Sequence, residues 1–377
     1  MRELRTEPDH RDARGVLEES VWSHVLIVRA SGVARHRPTI DSVPLPSLDD
    51  LLATLRVVRL PLNTKFRGVT YREVAIIDGP CGTGEFAPFI EYGPAEASRW
   101  LGAAIEAAYA GWPPPVRDRV PVNATVPAVS AAEVPAVIAR YDGCRTAKVK
   151  VAEAGQSLTD DLARVAAVRE VMGRDAKVRV DANGGWSVDD ALAALGRLSA
   201  FDLEYAEQPC ASVEELASLR MSLARNGIDL PVAADESIRK ADDPLRVARL
   251  GAADIAVVKV APMGGVRPAL TVAQQAGLPV VVSSALDTSV GMAAGVALAA
   301  ALPRLEHACG LGTIELFEGD VVTDSLVPQG GSLPVIRPEV DPALVARWAA
   351  PTDRADWWRE RVRAAYPIWK ATVRNGS

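Results

Sequence analysis

The sequence predicts an α/β fold: a barrel of parallel strands alternating with helices, preceded by a small α+β domain. Two observations carry this. From about Val120 to Gly310, short apolar runs alternate with helix-periodic segments, the rhythm of repeated βα units. Charged residues close those runs in Lys148-Val-Lys150, Asp181-Ala-Asn183, Glu207-Gln-Pro209, Asp235-Glu-Ser237 and Lys259. Steps of 31, 26, 28 and 24 residues lead from Lys150 through Asp181, Glu207 and Asp235 to Lys259, roughly one βα unit each. Chemistry in such barrels gathers at the C-terminal strand ends.

Composition narrows the class. At 377 residues there is room for about two domains and a large core. A hydrophobic share of 49% with 24% charged residues fits a soluble globular chain. The net charge of −6 and the lack of a long basic run argue against a nucleic-acid partner. The longest apolar stretch, Val290–Leu302, is 13 residues, too short to cross a bilayer. No secretory h-region is visible. Cys81, Cys144, Cys210 and Cys309 are scattered, as expected for reduced thiols in a cytoplasmic protein.

Taken in order, residues 1–55 read as an N-terminal extension, polar and open to disorder. His10, His24 and His36 lie there, too widely spaced to suggest a metal site. Arg56–Leu60 and Glu73–Ile77 read as strands around a loop, Pro61–Gly68. Glycines in Gly82-Thr-Gly84 read as turn residues, since a lone GxG is a weak phosphate signal. Ala95–Ala110 has helical periodicity, stopped by Trp112-Pro-Pro-Pro115. These elements make a capping domain over 56–118. Then come eight strands (Val120–Val126, Thr146–Ala152, Lys177–Asp181, Leu203–Glu207, Pro231–Asp235, Ile255–Val260, Pro279–Ser283, Leu305–Gly310) with seven helices between them. They fill 119–327. Residues 328–377 leave the rhythm, and Trp348, Trp357, Trp358 and Trp369 are expected to pack them back on the first domain.

Three carboxylates, Asp181, Glu207 and Asp235, come from adjacent strand ends. Like charges that close do not all ionise without a cation. Oxygen-only ligands point to Mg²⁺ rather than zinc. Lysines flank them, and burying ammoniums inside strands is costly unless anions wait there. Lys150 and Lys259 come from opposite sides of the barrel, so a bound substrate would have one on each face. Lys148, one pleat deeper, is better placed to pair with the carboxylates. Three unrelated rim salt bridges would be the bland alternative, but successive βα spacing with lysines on both sides favours a site.

This motif set (Lys148-x-Lys150, Asp181-x-Asn183, Glu207-Gln-Pro209, Asp235-Glu236-Ser237, and Lys259 with Gly264-Gly265) resembles the enolase superfamily in its muconate-lactonising-enzyme subgroup, from about Val57 to Pro334. The resemblance implies a modified (β/α)7β TIM-type barrel under an α+β capping domain built from both chain ends. It also implies proton abstraction α to a carboxylate. Lys150 and Lys259 would be catalytic, and Asp181, Glu207 and Asp235 would hold Mg²⁺, with Mn²⁺ as a substitute. Lys148, Asn183, Ser283, Ser284 and Arg67 would be substrate contacts. His307 is the sole histidine outside the extension, so a His–Asp base has no residue to use; it reads as a core histidine.

Within the subgroup, Pro61-Leu…Phe66-Arg67-Gly68 and Val282-Ser283-Ser284-Ala-Leu-Asp287 look like o-succinylbenzoate synthases of the actinobacterial type. The implied activity is a cytoplasmic lyase step of menaquinone biosynthesis. It would dehydrate 2-succinyl-6-hydroxy-2,4-cyclohexadiene-1-carboxylate to o-succinylbenzoate. Two alternatives stay open: an N-acylamino acid racemase or dipeptide epimerase on the same scaffold, and a metal-free aldolase using Lys259 as a Schiff base. The expected partner is a small-molecule carboxylate, with no nucleic acid or membrane, and a monomer is compatible with the pattern.

Overall fold

The computed structural model describes residues 45–66, 68–239 and 244–375. The described chain opens with a helix, α1 (Leu48–Thr54), inside the stretch expected to be extension. A capping box starts it: Ser47 Oγ accepts from Asp50 N–H, and the Asp50 carboxylate accepts from Ser47 N–H. Leu51 is fully buried, and that burial holds so short a helix. Here the expected boundary at 55 came too late. The histidines of the extension and Arg67 lie outside the described residues.

Next comes an antiparallel sheet of β1 (Arg56–Phe66), β2 (Val69–Gly79) and β3 (Gly82–Phe86), in that order. The segment Pro61–Phe66, expected as loop, continues β1, with an irregular register between Pro61 and Phe66. Proline cannot donate to a ladder, which is why the sequence hid the strand. Helix α2 (Pro94–Ile105) follows, ending in a π turn through Ala110.

The remaining strands are β4 (Arg119–Pro121), β5 (Ala124–Val126), β6 (Thr146–Lys150), β7 (Lys177–Asp181), β8 (Leu203–Glu207), β9 (Val232–Ala234), β10 (Ile255–Val258), β11 (Val280–Val282) and β12 (Ser332–Pro334). β5 through β11 form one parallel sheet in sequence order. The expected first strand, Val120–Val126, is two pieces, because β4 leaves the parallel sheet to pair antiparallel with β12. Only Cys309 and Gly310 of the expected eighth strand make ladder contacts. Cys309 bridges in parallel to Val122, ahead of β5, and Gly310 to Ser283, after β11, so the two neighbours lie at opposite edges of the curled sheet.

Crossovers carry α3 (Val134–Ile138), α4 (Leu158–Met172), α5 (Val188–Leu198), α6 (Val213–Arg225), the short α7 (Glu236–Arg239) and α8 (Arg246–Arg249), α9 (Val260–Met263), α10 (Val266–Ala276) and α11 (Ser289–Ala301). Ser157, Ser187 and Ser212 cap α4, α5 and α6 through their hydroxyls, each worth about 1 kcal/mol. Where the sequence predicts a helix over Pro244–Gly251, the structure has only the single turn of α8. No helix among the described residues is long and apolar enough to cross a membrane.

After α12 (Pro342–Arg347), α13 (Thr352–Asn375) returns to the antiparallel sheet and α2. The tryptophans do this, as the sequence suggested. Trp358 is fully buried, meets Phe86 edge-on at 5.7 Å and donates from Nε1 to Glu73 (3.0 Å). Arg59 and Arg354 also donate to that carboxylate. Burial alone would push Glu73 up, but these donors hold it at about 2.

Candidate active site

Parallel register lines up the charged strand ends. Lys150 pairs with Asp181 across β6–β7, and Asp181 with Glu207 across β7–β8. One pleat below, Lys148 pairs with Arg179, and Arg179 with Tyr205. Strand alternation puts both rows on the inner face.

Lys148 Nζ donates to Asp181 Oδ2 (2.8 Å) and Glu207 Oε1 (2.6 Å). Lys150 Nζ donates to the same Asp181 oxygen (2.6 Å) and to Asn183 Oδ1 (2.5 Å). Lys259 Nζ donates to Asp235 Oδ2 (2.5 Å) from the end of β10. All three lysines are buried. One cavity brings Lys148, Lys150 and Lys259 together with Asp181, Asn183, Asp235, Ser283 and Ser284. Arg67 alone of the expected substrate contacts is not described.

The turns beyond the strands are stiffened. Ala152, Asn183, Gln208 and Leu286 all hold positive φ (59°, 47°, 38° and 64°), a conformation that costs non-glycine residues energy and gathers at functional sites. Gln208 Oε1 accepts from the backbones of Asp235 and Ser237, fixing the turn that presents Asp235. Asn183 N–H donates to Asp181 Oδ1 (3.1 Å). Arg164 donates to the Lys150 carbonyl (2.7 Å).

Charge is unevenly settled. Burial raises Asp181, but Lys148 and Lys150 hold it well below the carboxylate range. Burial and the Asp181 charge push Glu207 up to about 7. Burial works against the Lys148 ammonium, yet Asp181 and Glu207 carry it well above its ordinary value. Glu207 Oε2 is buried with no hydrogen-bond partner among the described residues, a costly condition.

That atom is the test for a divalent cation. An unsatisfied carboxylate oxygen beside two further carboxylates is a hard, all-oxygen donor set suited to Mg²⁺. No group of three acidic, histidine or cysteine side chains among the described residues closes to ion-holding distance, because ammoniums face the carboxylates: Lys148 lies between Asp181 and Glu207. The donor chemistry fits, with the lysines standing as counter-cations.

Phe66, Thr125 and Thr313 also line the cavity, and sequence reasoning assigned none of them a role in a site. Phe66 lies 5.4 Å from Lys150 Nζ, and Thr313 Oγ1 is 2.7 Å from Ser284 Oγ. Thr125 follows a legible alternation, but the other two sit where no pattern marks them. His307 is elsewhere, with Nδ1 3.0 Å from Glu204 at the opposite end of β8.

Sequence comparison gives the family. Residues 131–339 match the enolase C-terminal domain-like family and residues 57–108 the enolase N-terminal domain-like family; the chain belongs to the enolase superfamily. Among its relatives, an o-succinylbenzoate synthase of Mycolicibacterium smegmatis is 60% identical, over 86% of this chain and 98% of that protein. One from Mycobacterium leprae is 57% identical, over 86% and 95%. A crystal structure of muconate lactonizing enzyme from Pseudomonas fluorescens, complexed with muconolactone, superposes with a TM-score of 0.66. It is 22% identical, over 78% of this chain and 98% of that one, and shows the shared fold.

Proposed function

We propose that this enzyme dehydrates 2-succinyl-6-hydroxy-2,4-cyclohexadiene-1-carboxylate to o-succinylbenzoate, a lyase step of menaquinone biosynthesis in the cytoplasm. The observation that carries the substrate is 60% identity over nearly the whole length of a relative named for that product. The chemistry is supported by Lys150 and Lys259, both buried and lining one cavity. We infer that Cys309–Gly310 is the eighth strand of a (β/α)7β barrel spanning 119–327. Its cap is built from 56–118 and 328–377, with α1 added.

Lys150, as the neutral amine, takes the proton α to the ring carboxylate. Its ammonium then returns that proton to the departing hydroxyl, so one C–H and one C–O bond break and water leaves. A single lysine serves as base and then acid on one face. Lys259, as an ammonium on the other face, offsets the charge that spreads into the substrate carboxylate. Asp181, Glu207 and Asp235 would hold Mg²⁺, or Mn²⁺ in its place, which would supply positive charge to that carboxylate. Lys148 donates to two of the three carboxylates, Asp181 and Glu207, and favours their charged forms. Asn183, Ser283, Ser284 and Arg67 are proposed substrate contacts.

The test is the ultraviolet change on aromatisation of the cyclohexadiene by the purified enzyme with Mg²⁺. Turnover is expected. No turnover, with deuterium instead washing into an N-succinyl amino acid, would move the assignment to racemase. Borohydride trapping of an imine on Lys259 would move it to aldolase.

A further inference from the structure

Glu85 is a buried acid that the proposed chemistry does not use. It comes from β3 of the antiparallel sheet and reaches the start of α11. Its Oε2 accepts from Thr288 Oγ1 (2.5 Å), Thr288 N–H (3.2 Å) and Gly291 N–H (3.0 Å). A Cβ at position 291 would fall 2.8 Å from Glu85 Cδ and 2.9 Å from Asp287 Cβ. Glycine there lets both carboxyl side chains crowd one point. Glu85 Oε1 and the indole Nε1 of Trp100 are buried without hydrogen-bond partners among the described residues. Both residues line a small cavity together with Asp287, Lys259 and Ser283. Lys259 and Ser283 also line the catalytic cavity.

The same loop is gripped from β2. Arg72 Nε donates to the Leu286 carbonyl (3.2 Å), and Asp287 Oδ2 accepts from Ala285 N–H (2.9 Å). Leu286, between them, holds its positive φ. The antiparallel sheet thus fastens the loop that carries Ser283 and Ser284 by a guanidinium on one strand and a carboxyl on the next.

We propose that Glu85 is a positioning residue: paired with Asp287, it seats the Ser283–Thr288 loop against the antiparallel sheet and so sets the Lys259 side of the catalytic cavity. Two adjacent buried carboxyls keep one proton between them, because both ionised would repel at low dielectric. The groups facing Glu85 fit this. Burial and, from the loop, Asp287 push it up to about 8, while the Thr288 hydrogen bond and Arg72 from β2 pull the other way. Lys259 and Arg72 stabilise the charge on Asp287, whose carboxyl burial raises. At neutral pH Glu85 carries the proton that keeps the two carboxyls from repelling. Above about pH 8 the pair becomes two anions and the loop loosens.

The sign follows from linkage. A carboxyl raised from 4.5 to about 8 on folding binds more protons folded than unfolded, so stability falls as pH rises between those values. In metal-loaded enzyme, Glu85→Gln mimics the protonated acid. It is expected to flatten the decline of Tm from pH 5 to 8.5, and to keep turnover above pH 8 where wild type loses it. Asp287→Asn should flatten the Tm slope in the same way. Glu85→Ala leaves the loop unseated, and kcat should fall on the order of 10²-fold, with KM little changed. Identical Tm and rate profiles for wild type and Glu85→Gln would overturn the proposal, as would full activity of Glu85→Ala. If Glu85→Ala does not fold, Glu85→Gln and Asp287→Asn decide. Only the kinetic arm rests on the proposed dehydration. Absent turnover by wild type would sink that assignment and leave the Tm comparison to judge Glu85.

Discussion

Two buried carboxylates, Glu73 under α13 and Glu207 at the strand ends, meet opposite treatment. Glu73 receives hydrogen bonds from Arg59, Arg354 and Trp358 and sits at about 2. Glu207 has Lys148 on one oxygen, nothing among the described residues on the other, and is pushed to about 7. The joint that only has to hold is fully paired. The site proposed to take a cation is left short of partners, and its strain is carried by the surrounding fold.

The comparison breaks most sharply at the lysines. Lys150→Ala removes the base and the acid that assists departure of hydroxide, so turnover should drop by more than roughly 10⁴-fold. Lys259→Arg keeps a cation and should dehydrate better than Lys259→Ala, although a planar guanidinium replaces an ammonium poorly. If Lys150→Ala stays active while both Lys259 variants fail equally, the faces are reversed.

At the joint, the effect should be on stability alone. Glu73→Gln leaves Arg354 and Arg59 facing a neutral amide and should cost about 3 kcal/mol in chemical denaturation, with kcat unchanged in the folded fraction. Its carboxyl is depressed from 4.5 to about 2, so its stabilisation is present above 4.5 and is lost as pH falls towards 2. Glu207 behaves the other way. Protons should compete with Mg²⁺ below about pH 7, and calorimetry should find weaker binding there.

Much of this contrast was legible in the sequence. Lys148, Lys150, Asp181, Glu207 and Asp235 each close an apolar run, and no bland pattern puts charges there at βα spacing. Glu73 and Glu85 were not legible as anchors, since their partners lie more than 200 residues away for Trp358, Arg354 and Thr288. Phe66 was hidden in a strand interrupted by Pro61, and Thr313 in a single helical turn after Gly310. Helix α1 had its Ser47-x-x-Asp50 signal, masked by Pro44 and Pro46.

A smaller effect sharpens that last point. Deletion to residue 44 keeps α1, whereas deletion to residue 54 removes Leu51 from the core. The longer deletion should lose about 2–5 kcal/mol more, the range for emptying a buried leucine site. Equal melting curves for the two would show that α1 contributes nothing to the core.

The most direct test of the central claim is turnover of the cyclohexadiene in chelator-treated enzyme before and after Mg²⁺ is returned. Asp181, Glu207 and Asp235 predict activity lost on chelation and restored by Mg²⁺ or Mn²⁺. Undiminished turnover in excess chelator would contradict it.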